Sequence, residues 1–276
     1  MIKVSVFYDH VREASRQTGK SENEILRELY LERVRGLEIR LEDLLEDHEL
    51  YSRISDEGFK ISCIYEFYEM EKKDETAKGR KHIDAAVRTG CSRILVVPGF
   101  LEKEEAEEFH AIADREDESV LEAYMQTNHK LQNMCRGLSR MAVWGKEKNV
   151  KVTVEDFDDH ASPLSRIGGI RWFLKKVPDL GFTFDMGNFA YMQEDIWKAW
   201  KVFGPSTVHV HCKDRFRSLE PAAAGTGDIP IGELVGKLRK KGYRGWLAAE
   251  HFGAADQEAF MLGSVRFLIK ECTEQS

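Results

Sequence analysis

The sequence has few cysteines for a chain of 276 residues: five in all, and no CxxC pair among them. This spacing does not support a zinc ribbon or a redox-active dithiol, and it favours free thiols in a reducing compartment. No apolar stretch approaches the roughly 20 residues that are needed to cross a bilayer. We expect no signal peptide ahead of the first apolar segment, residues 2–8. We therefore expect a cytoplasmic protein with no membrane partner.

An excess of basic residues is also lacking. The chain contains 41 Lys and Arg residues against 48 Asp and Glu residues, which gives a formal net charge of -7. Nucleic-acid-binding proteins usually present a basic surface, so we expect no nucleic-acid partner. No GxGxxG motif follows the first apolar segment, and a dinucleotide-binding fold therefore has no support. Hydrophobic residues make up 42% of the chain, which is enough for a sizeable core.

Strand and helix patterns alternate from one end of the chain to the other. Eight short apolar segments are predicted as strands: 2–8, 37–40, 59–65, 93–97, 150–155, 182–185, 207–211 and 246–250. Stretches with apolar residues every three or four positions separate them. Each crossover helix must cover one face of a parallel sheet. Eight such units in this length predict a single-domain (β/α)8 TIM barrel over residues 1–276. An open doubly wound sheet is the alternative.

The helices are predicted from the same periodicity and from their end signals. A capping box at Ser21 and Glu24 opens the first helix. Later helices are predicted at 41–55, 75–89, 119–148, 163–177, 189–203, 231–241 and 255–271. The long acidic connection 99–118 is predicted as a solvated loop, with a helical lid over the barrel mouth as the alternative.

Four predicted strands in the second half of the chain end at a metal-capable side chain. The four residues are Glu155, Asp185, His211 and Glu250. Barrel enzymes place their chemistry at the C-terminal ends of the parallel strands, so these side chains are expected to converge there. Two Glu, one Asp and one His suit a hard divalent cation: Mn²⁺, Mg²⁺ or Co²⁺ in preference to Zn²⁺, which remains an option.

Strand alternation makes the inward positions polar. If Glu155 points into the barrel, Thr153 does too, and Thr183 and His209 do so by the same parity as Asp185 and His211. Burying the carboxylates without a counter-charge costs several kcal/mol each. A cation must therefore lie among them. A metal ion is one source, and an internal salt-bridge network is the other, with its cation supplied by Lys151, Arg171 or Lys213.

Several segments resemble a known family. The stretches VTVEDFDDH, FTFDMGNF, HVHCKDRFR, GTGDIPIGEL and WLAAEHF are similar to those of the sugar phosphate isomerase/epimerase group. That group comprises xylose isomerase-like barrels, including ketose 3-epimerases, hydroxypyruvate isomerase and inosose dehydratase. The resemblance covers the C-terminal half in motifs and the whole chain in its alternation of strands and helices.

The resemblance implies roles for individual residues. It implies that Glu155, Asp185, His211 and Glu250 bind one divalent metal ion, and that Glu155 and Glu250 move the proton. It also implies that Arg217 binds a substrate oxygen or phosphate, and a surface ion pair is the alternative interpretation of this residue. The chain departs from the family at Asn188, where many members carry a histidine in an Asp-x-x-His motif.

Three further residues are weighed from the strand pattern and the loops. His209 and Glu66 are candidate substrate-binding residues alongside Asn188, with a core histidine and a solvated strand end as the alternative interpretations. The segment Gly225-Thr226-Gly227-Asp228 precedes a helix and is interpreted either as an anion cradle or as a tight turn.

The expected activity is a sugar or sugar phosphate isomerase/epimerase. A metal ion that bridges a carbonyl and its neighbouring hydroxyl acidifies the C–H between them by stabilising an enediolate. Proton return to either carbon gives isomerisation or epimerisation, and loss of a β-hydroxyl gives dehydration, so a lyase on the same site is the alternative. An endonuclease IV-type nuclease is a remote alternative. The expected partner is a small carbohydrate, and the resemblance makes a homo-oligomer an expectation.

Overall fold

The computed structural model describes residues 2–273. Its strands are β1 (Lys3–Phe7), β2 (Gly36–Arg40), β3 (Lys60–Phe67), β4 (Arg93–Val97), β5 (Lys151–Glu155), β6 (Gly181–Asp185), β7 (Thr207–Arg215), β8 (Pro221–Ala222) and β9 (Trp246–Glu250). Each of the eight predicted strands is confirmed, and β8 is an additional two-residue strand. Almost every residue of β6 and β9 is buried. Burial on both faces is typical of strands that helices cover on one side and a barrel interior covers on the other.

The order of the strands establishes the fold class. It is β6-β5-β4-β3-β2-β1-β9-β7-β8, and β6 also pairs with β7. Eight strands therefore form a closed parallel barrel with helices in the connections, and the predicted (β/α)8 TIM barrel is confirmed. The short β8 pairs with the end of β7 in the antiparallel sense, Asp214 opposite Ala222.

The chain divides into two compact units. The first comprises residues 2–63, 185–187 and 208–273, and the second comprises residues 64–184 and 188–207. In the first unit β1 pairs with both β2 and β9. In the second unit β4 pairs with β5, and β5 pairs with β6. The prediction of a single domain over the full 1–276 stays a prediction.

The helices are more numerous than the sequence pattern predicts. They are α1 (Tyr8–Thr18), α2 (Glu22–Leu31), α3 (Leu41–Glu46), α4 (Leu50–Asp56), α5 (Thr76–Thr89), α6 (Lys103–Ala113), α7 (Glu118–Thr127), α8 (His129–Glu147), α9 (Ile167–Lys176), α10 (Asn188–Tyr191), α11 (Ile196–Phe203), α12 (Ile231–Lys240) and α13 (Gln257–Thr273). In the described residues no helix has the length and apolar character to span a membrane.

Three predicted helices are each divided at a polar residue in extended conformation. The predicted helix 189–203 is split into α10 and α11, and Asp195 (φ -74°, ψ 109°) caps the start of α11 by accepting hydrogen bonds from Trp197 N and Lys198 N. Asp47 (φ -113°, ψ 96°) ends α3, and its carboxylate accepts a hydrogen bond from the backbone N–H of Glu49. Asn128 (φ -73°, ψ 113°) separates α7 from α8, and its side chain accepts hydrogen bonds from Lys130 N and Leu131 N. Side chains of this type compete with helical hydrogen bonding and favour caps. The capping box at Ser21 is confirmed, but it opens α2, because the sequence pattern missed α1.

The acidic connection 99–118 is not a solvated loop. It contains α6, in which Ala106, Phe109 and His110 are buried while most of the acidic residues stay exposed. The spacing of these three residues, i, i+3 and i+4, gives the helix one apolar face. A second capping box, Glu102 with Glu105, opens it. The many Glu residues in this stretch made its apolar face hard to detect from the sequence.

A buried histidine in α5 predicts a measurable pH dependence of stability. His82 accepts a hydrogen bond at Nδ1 from the Tyr68 hydroxyl (2.9 Å) and donates one from Nε2 to the carbonyl oxygen of Ile64 (3.1 Å). Burial lowers the pKa of His82 to about 3, from an ordinary value near 6.5. Between these values the unfolded chain binds a proton that the folded protein does not. Stability is therefore lost as pH falls from about 6.5, by up to ~1.4 kcal/mol per pH unit.

Urea unfolding at a series of pH values checks this expectation. Below pH 6.5 we expect His82→Gln to make the unfolding free energy less dependent on pH. The slope should fall by nearly the contribution of one bound proton, which is about 1.4 kcal/mol per pH unit. Replacing the exposed His129 with Gln leaves the slope of the wild-type protein. Equal slopes for the wild-type protein and the His82 variant would contradict the assignment of His82 as neutral.

Candidate metal centre

Three of the four predicted metal ligands converge within the first unit. Asp185 ends β6, His211 lies within β7 and Glu250 ends β9. The Nδ1 atom of His211 lies 3.0 Å from Oε2 of Glu250 and 3.8 Å from Oδ2 of Asp185. All three side chains are buried. The parallel register of β7 with β9 pairs His211 with Ala248. Glu250 lies two residues after Ala248 and therefore on the same face of β9. Side chains at the carboxyl ends of neighbouring strands are held together in this way.

The donor set and its spacing fit a divalent cation. Ligands at about 2.1 Å from an octahedral ion are roughly 3 Å apart when adjacent. The separation of 3.0 Å between Glu250 and His211 matches adjacent positions. Burial raises the pKa of the Glu250 carboxyl, but Lys213 and His211 lower it by more, so that its net pKa lies below the ordinary value. Glu250 is therefore ionised at neutral pH, as a metal ligand must be.

A carboxylate that the sequence analysis did not single out supports His211. Glu38, on β2, accepts a hydrogen bond from Nε2 of His211 (3.1 Å) and another from Nε2 of His209 (2.8 Å). A carboxylate only accepts hydrogen bonds, so Nε2 carries the proton in both rings. Because Nε2 of His211 is bound to Glu38, Nδ1 is the nitrogen that faces Asp185 and Glu250, and it can coordinate a metal ion once it carries no proton. Metal-binding histidines usually have such a partner behind them.

Glu38 and His209 are completely buried, and the pair explains the polar interior of this part of the barrel. Burial raises the pKa of Glu38 and the two imidazoles lower it, with a net value of about 2. Their ligand atoms also lie within 4.8 Å of Cys63 Sγ, a spacing that metal sites share. The hydrogen bond between Glu38 and His209 accounts for this arrangement without an ion. The sequence signal for this buried pair was a glutamate, Glu38, between the apolar residues Leu37 and Ile39.

The internal salt-bridge alternative is realised by one lysine. Lys213 Nζ lies 2.7 Å from Oε1 of Glu250 and 3.8 Å from Oδ2 of Asp185. The other two candidate cations lie elsewhere: Lys151 donates to the carbonyl oxygen of Asp179, and Arg171 pairs with Glu118. The candidate metal ligands and an ammonium group therefore occupy the same cluster in this unit.

The fourth predicted ligand, Glu155, belongs to the second unit. It ends β5 and is buried. The register of β5 with β6 places Glu155 opposite Thr183. The predicted inward threonines form a chain beneath it, because Thr183 donates a hydrogen bond to Thr153 and Thr153 donates one to the carbonyl oxygen of Ile94.

Two candidate substrate-binding residues of the second unit have local partners. Asn188, at the start of α10, donates a hydrogen bond from its side-chain nitrogen to the carbonyl oxygen of Asp156 (2.8 Å). Glu66 accepts a hydrogen bond from the backbone N–H of Phe67 (2.7 Å) and lies 3.4 Å from Lys78 Nζ. Both side chains are 2% exposed, so Glu66 is not at a solvated strand end. Their roles toward substrate stay predictions.

Arg217 lies on the surface. Its side chain is 93% exposed, and its Nε is 4.0 Å from Oδ1 of Asp228. The backbone N–H of Arg217 donates to Oδ2 of the same aspartate, at 2.9 Å. The side chain is therefore only weakly held, and substrate binding by Arg217 stays a prediction.

The glycine-rich segment before α12 is a turn that is organised around an internal carboxylate. Asp214, at the end of β7, accepts hydrogen bonds from the backbone N–H groups of Gly225, Gly227 and Ile229, at 2.8–3.2 Å. A Cβ atom on Gly227 would lie 2.3 Å from Asp214 Oδ1, so only glycine permits this approach. The N–H groups that an external anion would need already bind Asp214. The tight-turn interpretation of this segment is thus the better one.

Several solved structures of other proteins have a fold similar to that of this chain. The probable 3-DHS dehydratase AsbF of Bacillus anthracis superposes with a TM-score of 0.72 at 13% identity, over 97% of this chain and 99% of that one. An L-ribulose 3-epimerase gives 0.71 at 14% identity, over 99% and 95%. A D-allulose 3-epimerase from Methylomonas sp. gives 0.69 at 14%, over 98% of each chain. At these identities the likeness shows the fold alone.

Sequence comparison gives the family. No curated protein matches the chain significantly. The sequence profile described as "Xylose isomerase-like TIM barrel" matches residues 29–271, which is most of the chain. Together with the closed eight-stranded barrel, this match shows that the chain belongs to the xylose isomerase-like TIM barrel family.

Proposed function

We propose that this protein is a divalent-metal-dependent isomerase or epimerase of a ketose or ketose phosphate. The observation that carries the proposal is the convergence of the buried side chains of Asp185, His211 and Glu250, with Glu38 behind the histidine. Buried carboxylates and an imidazole nitrogen that faces them are the groups that hold a metal ion in an enzyme. The epimerases named among the similar structures lend the proposal support at the level of the family.

The proposed ligands are Asp185, His211, Glu250 and, from β5, Glu155. Three carboxylates and one imidazole favour Mn²⁺, Mg²⁺ or Co²⁺ over a metal that prefers thiolates. When bound, such an ion polarises a carbonyl and its neighbouring hydroxyl and makes the C–H between them more acidic.

The proton itself is moved by carboxylates of this chain. We assign this role to Glu250 and Glu155, since each ends a barrel strand and carries a buried carboxylate. A carboxylate is an adequate base once the C–H is acidified. Burial excludes water from these groups, which strengthens their interaction with a polarised substrate.

A lyase that uses the same ligands is the second candidate. Loss of a β-hydroxyl from the deprotonated substrate requires the same metal and the same base. One of the similar structures is described as a probable 3-DHS dehydratase, which favours this candidate specifically. The two candidates differ only in the fate of the substrate after the C–H bond is broken.

Proton NMR in D₂O distinguishes the two candidates. Metal-loaded protein is incubated with a panel of ketoses, ketose phosphates and 3-dehydroshikimate. An isomerase or epimerase introduces deuterium at one carbon and retains the carbon skeleton and its oxygens. A dehydratase produces an alkene proton signal and releases water. No exchange and no product with any member of the panel would contradict both candidates.

The arrangement of Glu38 behind His211 predicts a graded loss of metal affinity. In Glu38→Gln the amide oxygen can still accept one hydrogen bond, but the charge that makes the imidazole a stronger ligand is lost. We expect the dissociation constant for Mn²⁺ to rise by about 10–100-fold. Isothermal titration calorimetry on metal-free protein measures it. The exposed Glu233 on α12 offers the matched control, and Glu233→Gln should bind Mn²⁺ like the wild-type protein. Unchanged affinity in the Glu38 variant would contradict this support.

A further inference from the structure

Lys213 places a cationic side chain directly beside the proposed ligands of the first unit. Its Nζ atom lies 2.7 Å from Glu250 Oε1 and 3.8 Å from Asp185 Oδ2. The side chain is 8% exposed, so water screens these contacts little. The two carboxylates that it contacts are the same ones that we assign to the metal.

The backbone around Lys213 keeps its side chain in this position. Register pairing sets Lys213 directly beside Glu250 on the neighbouring strand. On the other side, the turn after Asp185 passes so close that a Cβ atom on Gly187 would lie 2.9 Å from Lys213 Cγ and 2.6 Å from its carbonyl oxygen. Glycine at 187 therefore leaves the space that the lysine stem occupies. The backbone N–H of Gly187 in turn donates to Asp185 Oδ1 (2.7 Å) and orients that carboxylate.

The buried carboxylates of the cluster need a cationic partner even in the metal-free protein. Asp185 and Glu250 are both buried, and a buried carboxylate without a counter-charge costs several kcal/mol. Glu38 does not add to this demand, because two imidazole N–H groups already bind it. The ammonium of Lys213 meets the demand in the metal-free protein. A divalent ion at Glu250 would bring a second positive group within a few ångströms of that ammonium, and the two repel each other.

We propose that Lys213 is an internal counter-ion that holds Asp185 and Glu250 in place in the metal-free protein and competes with the divalent metal for Glu250. The inference rests on the proposed metal centre and goes beyond it, because it assigns a limit on metal affinity to this chain's own lysine. An ion held by Glu250 Oε2 beside His211 would share that carboxylate with the ammonium on Oε1, and the repulsion between the two cations would oppose binding. The lysine thus keeps the two carboxylates in place before the metal ion binds, and it lowers the affinity of the protein for that ion.

Two measurements on Lys213→Met test the proposal. With chelator-treated protein, calorimetric titration should show Mn²⁺ binding at least about tenfold tighter than in the wild-type protein, because the competing charge is gone. Thermal unfolding of the same metal-free sample should show a lower midpoint than wild-type, and saturating Mn²⁺ should remove most of that difference. Lys213→Arg, which keeps the charge, should stay close to wild-type in both measurements. Lys240→Met, an exposed lysine on α12, is the control for removing a surface charge.

The outcomes separate this inference from the proposed function. Metal binding by the wild-type protein with equal or weaker binding by Lys213→Met overturns the competition while leaving the metal centre intact. An unchanged midpoint of the metal-free variant overturns the counter-ion role. No Mn²⁺ binding by either protein overturns the metal centre and this inference with it. Should Lys213→Met fail to fold without metal, its recovery on refolding with Mn²⁺ supports the proposal, and Lys213→Gln, a polar and uncharged variant, provides the affinity measurement.

Discussion

Replacing Glu250 with glutamine is expected to lower turnover by at least about a thousandfold while leaving the fold intact. Loss of a general base alone costs roughly 10²–10⁴-fold. The same substitution removes a proposed metal ligand and the partner of Lys213. Glutamine has nearly the same volume as glutamate, so the buried strand end at β9 keeps its packing. Steady-state rates on the ketose that the wild-type protein turns over fastest provide the measurement.

A matched control separates catalysis from stability. Glu233→Gln makes the same chemical change at an exposed position of α12, and it should retain full turnover. Circular dichroism and the thermal midpoint establish that both variants are folded. A Glu250→Gln protein that keeps more than about a tenth of the wild-type rate would refute the assignment of Glu250 as a base.

Removal of metal is expected to abolish turnover, and its return to restore it. Dialysis against EDTA followed by desalting should reduce the rate to background, and Mn²⁺, Mg²⁺ or Co²⁺ should recover it to differing extents. Binding should also stabilise the fold, by about 2.7 kcal/mol at a metal concentration of 100 times the dissociation constant. Differential scanning calorimetry with and without Mn²⁺ measures this second effect independently of any substrate.

Asp185→Asn provides the control for the metal experiment. The variant loses one charged ligand but retains a side chain of the same shape, so Mn²⁺ should raise its midpoint far less than that of the wild-type protein. Persistent wild-type activity in protein that elemental analysis shows to be free of metal would exclude metal-dependent chemistry. The Lys213 network would then be the structural explanation of the buried carboxylates.

Much of the fold could be predicted because the signals that specify it are local. A buried parallel strand is a short apolar run, and all eight such runs are strands in the structure. Periodicity also located most helices. It failed at Asp47, Asn128 and Asp195, where a side chain that binds the backbone breaks a helix whose apolar pattern continues. It also failed in 99–118, because the buried face of α6 is narrow and its exposed acidic residues dominate the composition.

Strand position and alternation are properties of the linear chain, so the sequence pattern located the polar side chains at or near the C-terminal ends of the barrel strands. Asp185, His211 and Glu250 could be named as a group for that reason. Which side chains lie behind and beside them depends on contacts between segments that are distant in sequence. Glu38 is 173 residues from His211, and Lys213 is 37 residues from Glu250. A hydrogen bond or an ion pair between such residues depends on register and rotamer, which no local pattern in the sequence encodes.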